Sequence, residues 1–91
     1  MFERKKIGED FEKLREERGV PKERIAAIIG ISPEAVSRFE KGEFCLRTEN
    51  ILKLLDFYEL PTSTIDKYYH RSERMQMEID AYEGYLKSKK R

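Results

Sequence analysis

Apolar residues recur at helical spacing along most of the chain, and glycines and prolines cut that pattern into short pieces. Ile7, Phe11 and Leu14 stand at i, i+4 and i+7, one stripe of a helix over residues 7–18. Gly19 ends it, because glycine accepts the left-handed conformation of a helix C-cap. Pro21 suits the first turn of a second helix, where a missing N–H costs nothing. Ile25, Ile28 and Ile29 give that helix its apolar face, and Gly30 stops it. Ser32 is the expected N-cap of a third helix and Pro33 its first residue. Glu34 adds an acid at the positive end of the helix dipole. Val36 and Phe39 face inward, and Gly42 closes the segment. Residues 43–47 have no period of their own. Thr48 is expected to cap a fourth helix in which Ile51, Leu54, Leu55 and Tyr58 line one face. Pro61 breaks the chain, and Thr62 or Ser63 is expected to start a fifth helix. No stretch shows strand alternation, so the fold class is all-α: a bundle of four to five helices with a long C-terminal helix.

The last third of the chain has a different period. Ile65, Tyr68, Ser72, Met75, Ile79, Tyr82 and Leu86 follow 3-4-3-4 spacing without a break. This is an a/d heptad seam of about three heptads. It predicts a division into residues 1–61 and a C-terminal helix over 62–91. The seam is expected to bind a second copy of the chain, with Ile65, Tyr68, Met75, Ile79, Tyr82 and Leu86 as the dimerisation residues. Packing back onto the first segment is the alternative. Ser72 in the seam and Gly84 in the helix make the zipper imperfect. A different protein or a lipid surface is a third occupant, and mixed charges argue against lipid.

At 91 residues the chain holds one domain. A domain this small buries only about 60–65% of its unfolded surface, so a partner subunit would help to cover apolar area. Net charge is +1, from 19 basic and 18 acidic residues, so bulk charge does not announce a nucleic-acid binder. Distribution says more. Arg4, Lys5 and Lys6 make the start basic, and Lys87, Lys89, Lys90 and Arg91 make the end basic. No apolar run approaches the roughly 18 residues of a membrane span, and the N-terminus lacks an export-type apolar stretch. Cys45 is the only cysteine, so an intrachain disulfide and four-cysteine or Cys/His zinc sites are excluded. An inert loop thiol is the expected reading of Cys45, with an interchain disulfide as the alternative. A reducing cytoplasm is the expected compartment. His70, the only histidine, falls outside the seam and is expected to be solvated. No Ser/His/Asp set, HExxH or phosphate-cradling glycine loop is present. No metal, cofactor or enzymatic activity is therefore expected.

The sharpest signal runs from Lys22 to Gly42. Two helices of about eight residues are joined by Gly30-Ile31-Ser32 and must cross steeply. Ala26 permits close approach, and Ile31, Val36 and Phe39 plug inward. Glu34, Ala35, Ser37, Arg38 and Lys41 are left on the outer face of the second helix. In a helix-turn-helix this second helix enters the DNA major groove.

Three stretches, FEKLREERGV, ERIAAIIGISPEAVSRFEKGE and ENILKLLDFYEL, carry a resemblance. With Ala26, Gly30, Ile31, Val36, Glu40 and Gly42 at their spacing, residues 7–60 resemble the Cro/cI-type (XRE-family) helix-turn-helix domain, lambda-repressor-like in fold. SRFEKGE and NILKLLDFYEL are similar to the N-terminal domains of Rgg/PlcR-like regulators, whose helical-repeat domain has no counterpart here. The resemblance implies that Arg15 pairs with Glu40 and fixes the recognition helix. It implies that Lys22 and Ser32 meet the DNA backbone, that Ser37 and Arg38 face bases or backbone, and that Lys41 and Arg47 flank the groove. Arg38 is the first candidate for base readout, because a guanidinium matches guanine O6 and N7. Pro33 and Glu34 depart from the family pattern. Proline offers no donor, and a glutamate facing DNA is repelled unless it accepts from cytosine N4. The function implied is a sequence-specific, homodimeric, cytoplasmic DNA-binding regulator, expected to be a repressor of a palindromic operator. The rival is a protein-interaction module of the same fold, such as an antitoxin or a repressor-inactivating factor.

Overall fold

The computed structural model describes residues 4–89. Five α-helices and one short 3₁₀ segment follow in order: α1 (Arg4–Glu17), α2 (Lys22–Ile29), α3 (Pro33–Glu40), α4 (Thr48–Phe57), the 3₁₀ turn (Thr62–Lys67) and α5 (Glu73–Lys89). There is no strand among the described residues. Lys90 and Arg91, the end of the basic tail, lie outside them.

Helix boundaries follow from capping chemistry. Gly30 takes a left-handed conformation (φ 73°), and its N–H returns to the Ala26 carbonyl, closing α2. Ser32 caps α3 by accepting the Ala35 N–H at 3.1 Å, with Pro33 at the first turn. Two expected helix starts are shifted by one residue. Pro21 is one residue before α2, in extended conformation, rather than inside its first turn. Thr48 is the first residue of α4, and Arg47 occupies the cap position without a side-chain bond.

The core is one continuous cluster. Ile7 and Phe11 of α1, Ile25, Ala26 and Ile29 of α2, and Val36 and Phe39 of α3 meet Ile51, Leu52, Leu54 and Leu55 of α4. Phe11 sits at its centre, edge-on to Phe39 (5.8 Å) and to Tyr58 (6.2 Å). Arg18, just past the end of α1, lies over the Tyr58 ring at 5.6 Å and ties this turn to the end of α4.

The C-terminal segment departs from expectation. The heptad run is not one helix. Ile65 belongs to the 3₁₀ turn, Tyr68 follows it, and α5 begins only at Glu73. Ile65, Tyr68 and Ile79 are buried in the chain's own core, with Met75 and Tyr82 packed against it. Leu86 lines a hollow with Asp56, Glu59 and Leu60 at the end of α4. Ile65, Tyr68 and Ile79 are therefore used within the chain, while Met75, Tyr82 and Leu86 are half-buried against it. Ser72 is not a seam residue either; its Oγ accepts the Met75 N–H at 3.1 Å and so caps α5. The reason is visible in α4, whose Leu52 lies off the predicted stripe and is buried as well. α4 has apolar groups on two sides, and α5 covers the second.

Polar ties fix this arrangement. The Thr62 hydroxyl donates to Glu83 of α5, and the Tyr68 hydroxyl donates to Asp10 of α1. Burial raises the Tyr68 pKa well above the usual tyrosine value, with the bond to Asp10 adding to it.

Candidate nucleic-acid interface

α3 is held from behind and open in front. Val36, Phe39 and Glu40 face inward and are buried. Glu34, Arg38 and Lys41 are exposed on the opposite side, and Ala35 and Ser37 are half-buried at its edges. Two bases and one acid are therefore the exposed charges of this helix and its cap.

The buried polar contact behind α3 is an ion pair. Arg15 Nε donates to Glu40 Oε2 at 2.8 Å, and Nη2 donates to Oε1 at 3.1 Å. Arg15 is 8% exposed and Glu40 5%. Nη1 also donates to the Val20 carbonyl at 3.1 Å, so one guanidinium joins α1, the turn before α2, and α3. The bond to Glu40 raises the Arg15 pKa despite the opposing effect of burial. A two-pronged pair of this kind fixes orientation as well as distance.

Gly8 is the other device. A Cβ on it would press on the Phe39 carbonyl oxygen and lie 2.8 Å from that of Glu40. α1 and the end of α3 thus touch through their backbones. Gly42 beyond α3 (φ 79°) lies close to Lys5, where a Cβ would be 3.0 Å from the lysine Cα. Lys5, at the basic start of α1, therefore adjoins the loop that follows α3.

Among the remaining predicted residues, Lys22 is half-buried at the first position of α2. Ser32 spends a lone pair on the Ala35 N–H, and its own hydrogen is still free to donate to a phosphate. Arg47 is exposed and lines a cleft with Thr48, Ser72, Arg74, Met75 and Glu78, beside the start of α5. Arg38 does not stand alone: its Nε donates to Glu43 Oε1 at 3.4 Å, and its guanidinium lies 5.9 Å from the Phe44 ring centre. Sequence reasoning missed Gly8, Glu43 and Arg74. Gly8 had a signal, a glycine inside an unbroken helical period. Glu43 and Arg74 sit in stretches whose spatial neighbours no period reveals.

A short helix capped by Ser-Pro, packed on the helix before it across a three-residue turn and braced by a buried ion pair, defines a helix-turn-helix module. A family model described as helix-turn-helix matches residues 11–65, and the chain belongs to that family, of the Cro/cI (XRE) type. No curated protein matches the chain. The family is one of DNA-binding regulatory domains, and the chain is a DNA-binding regulator of the XRE type. No helix among the described residues is long and apolar enough to cross a membrane.

Proposed function

We propose that the protein is a cytoplasmic transcriptional repressor that binds a palindromic operator as a homodimer, with α3 in the major groove. The observation that carries this reading is the two-sidedness of α3. Its rear is locked by Arg15–Glu40, and its front leaves Arg38 and Lys41 exposed. Arg38 is the base reader. Lys22, Ser32, Lys41 and Arg47 meet phosphates, and Ser37 and Ala35 set how closely the helix approaches. Repression needs no activity beyond binding, because a bound dimer blocks its site by occupancy alone.

The second copy docks on the outer face of α5, since the predicted seam is already used within the chain. Met77 there is 71% exposed and Tyr85 56%, with Ala81 exposed between them. Glu73, Glu78 and Asp80 outnumber Arg74 in the first half of α5, and Lys87 and Lys89 outnumber Glu83 in the second. Antiparallel pairing brings acids against bases and Met77 against the partner's Tyr85. Two copies of α3 would then read half-sites roughly 34 Å apart.

Selection of bound sequences from random duplexes, with the full chain and with Arg38→Ala, tests the function. A palindromic motif is expected, blurred at one position per half-site by the substitution. Pools that stay unenriched at low salt would count against it. The exposed Glu34, and the pairing of Arg38 with Glu43, are what favours the second reading, in which α3 grips a basic protein surface. The same selection separates the two.

A further inference from the structure

The geometry points to Glu43 as a positioning residue that sets sequence discrimination by holding the Arg38 guanidinium for base readout. This rests on the DNA-binding role proposed for α3.

A free arginine at the surface of a helix samples many rotamers, and fixing it on a base costs side-chain entropy. Arg38 is restrained from two directions. Glu43 Oε1 accepts from its Nε at 3.4 Å, and the Phe44 ring lies 5.9 Å from its Cζ. Both partners come from the turn just after α3, and that turn is tied to Arg38 itself. The Glu43 N–H donates to the Arg38 carbonyl at 2.9 Å, and Gly42 supplies the left-handed residue that folds the chain back. The acid is thus anchored through its own backbone to the residue it holds.

The contact engages Nε and not Nη1 or Nη2, the pair of donors that matches guanine O6 and N7. The arrangement has a cost in general affinity. Glu43 is exposed and negative beside a surface that must approach phosphates. An acid that only weakened binding would be a liability there; an acid that aims a base-reading arginine exchanges general affinity for discrimination. Exposed ion pairs add little stability, so Glu43 can be changed without unfolding the chain.

The test compares wild type with Glu43→Ala, Glu43→Gln, Arg38→Ala and the double variant Arg38→Ala/Glu43→Ala. Each is titrated with a duplex carrying the motif selected by the wild type and with a scrambled duplex. The ratio of the two affinities is the readout. Glu43→Ala is expected to bind the scrambled duplex more tightly than wild type and to lower the ratio about fivefold, part of the discrimination one bidentate pair supplies. Glu43→Gln, which keeps an acceptor for Nε, is expected to recover about half of that loss. In the Arg38→Ala background, Glu43→Ala is expected to leave the ratio unchanged. If Glu43→Ala tightens both duplexes equally, or shifts the ratio just as much without Arg38, the carboxylate acts by simple repulsion and the inference is overturned. If the wild type selects no motif at all, the DNA-binding role falls and takes this inference with it; a wild type that selects one while Glu43→Ala keeps its ratio sinks only the inference.

Discussion

At the scale of single residues, the interface depends on two contacts that never touch a ligand. Glu40→Gln leaves the Arg15 guanidinium with a weakened partner in a nearly buried place. We expect a loss of about 3 kcal/mol, the low end for breaking a buried pair. It would be read as a lower urea midpoint at unchanged slope. Replacing both partners together, as Arg15→Met/Glu40→Leu, should recover most of that stability. If the single and double changes cost the same, the pair is not the fastening it looks like. Gly8→Ala offers a sharper sign test. At an open helix position this change stabilises by about 1 kcal/mol. Here the new methyl meets the Phe39 and Glu40 carbonyls, and we expect destabilisation of about 1–3 kcal/mol in the same urea titration. The two contacts differ in how far they could be read beforehand. The pairing of Arg15 with Glu40 followed from the motif resemblance, because both residues stand at motif positions. The role of Gly8 did not, because a periodic stretch says which face is apolar and nothing about which backbone crosses it.

Among the elements, α5 separates sequence pattern from structure most clearly. Its heptad spacing is real, yet the run spans a 3₁₀ turn, a break and a helix, and its apolar members face inward. The missing signal was in α4. Leu52 stands off the stripe of Ile51, Leu54, Leu55 and Tyr58, and a buried residue there requires a covering element on the second side. The helix-turn-helix itself was legible because glycine, serine and proline mark its ends by local chemistry alone. α5 was not, because a period of 3.5 suits a partner copy and a neighbouring helix equally well. Ile79→Ala should therefore destabilise the whole chain by about 2–5 kcal/mol in thermal or urea unfolding, at protein concentrations where the chain is monomeric. An effect confined to dimer dissociation would contradict the packing. The burial of Tyr68, with its bond to Asp10 adding to it, predicts a pH dependence. A tyrosine whose folded pKa is raised contributes stability that is present below its unfolded value of about 10 and lost as pH rises beyond it. Melting temperature should fall above about pH 10, and less steeply in Tyr68→Phe. Some slope should remain in that variant, because burial also raises the pKa values of Tyr58 and Tyr82.

For the whole molecule, a bundle of this size has to combine a stable core with a free reading surface. The core takes apolar residues from all five helices, and α3 is left with one side open. If α5 joins two copies through Met77 and Tyr85, solution mass should double with rising concentration. Met77→Asp should then remain monomeric while keeping its melting temperature, because that side chain is mostly exposed, whereas Tyr85 also packs on Tyr82 at 6.1 Å. DNA affinity should fall steeply with salt, since each phosphate contact releases counterions. Lys41→Ala should lower the slope of log affinity against log salt by about 1. The most direct measurement is backbone amide chemical-shift mapping of the full chain, titrated with a duplex of about two helical turns. Shifts should concentrate at Ser32–Lys41, at Lys22 and at the loop through Arg47. A titration that perturbs the outer face of α5 and leaves α3 unmoved would contradict the reading of α3 as the surface that meets DNA.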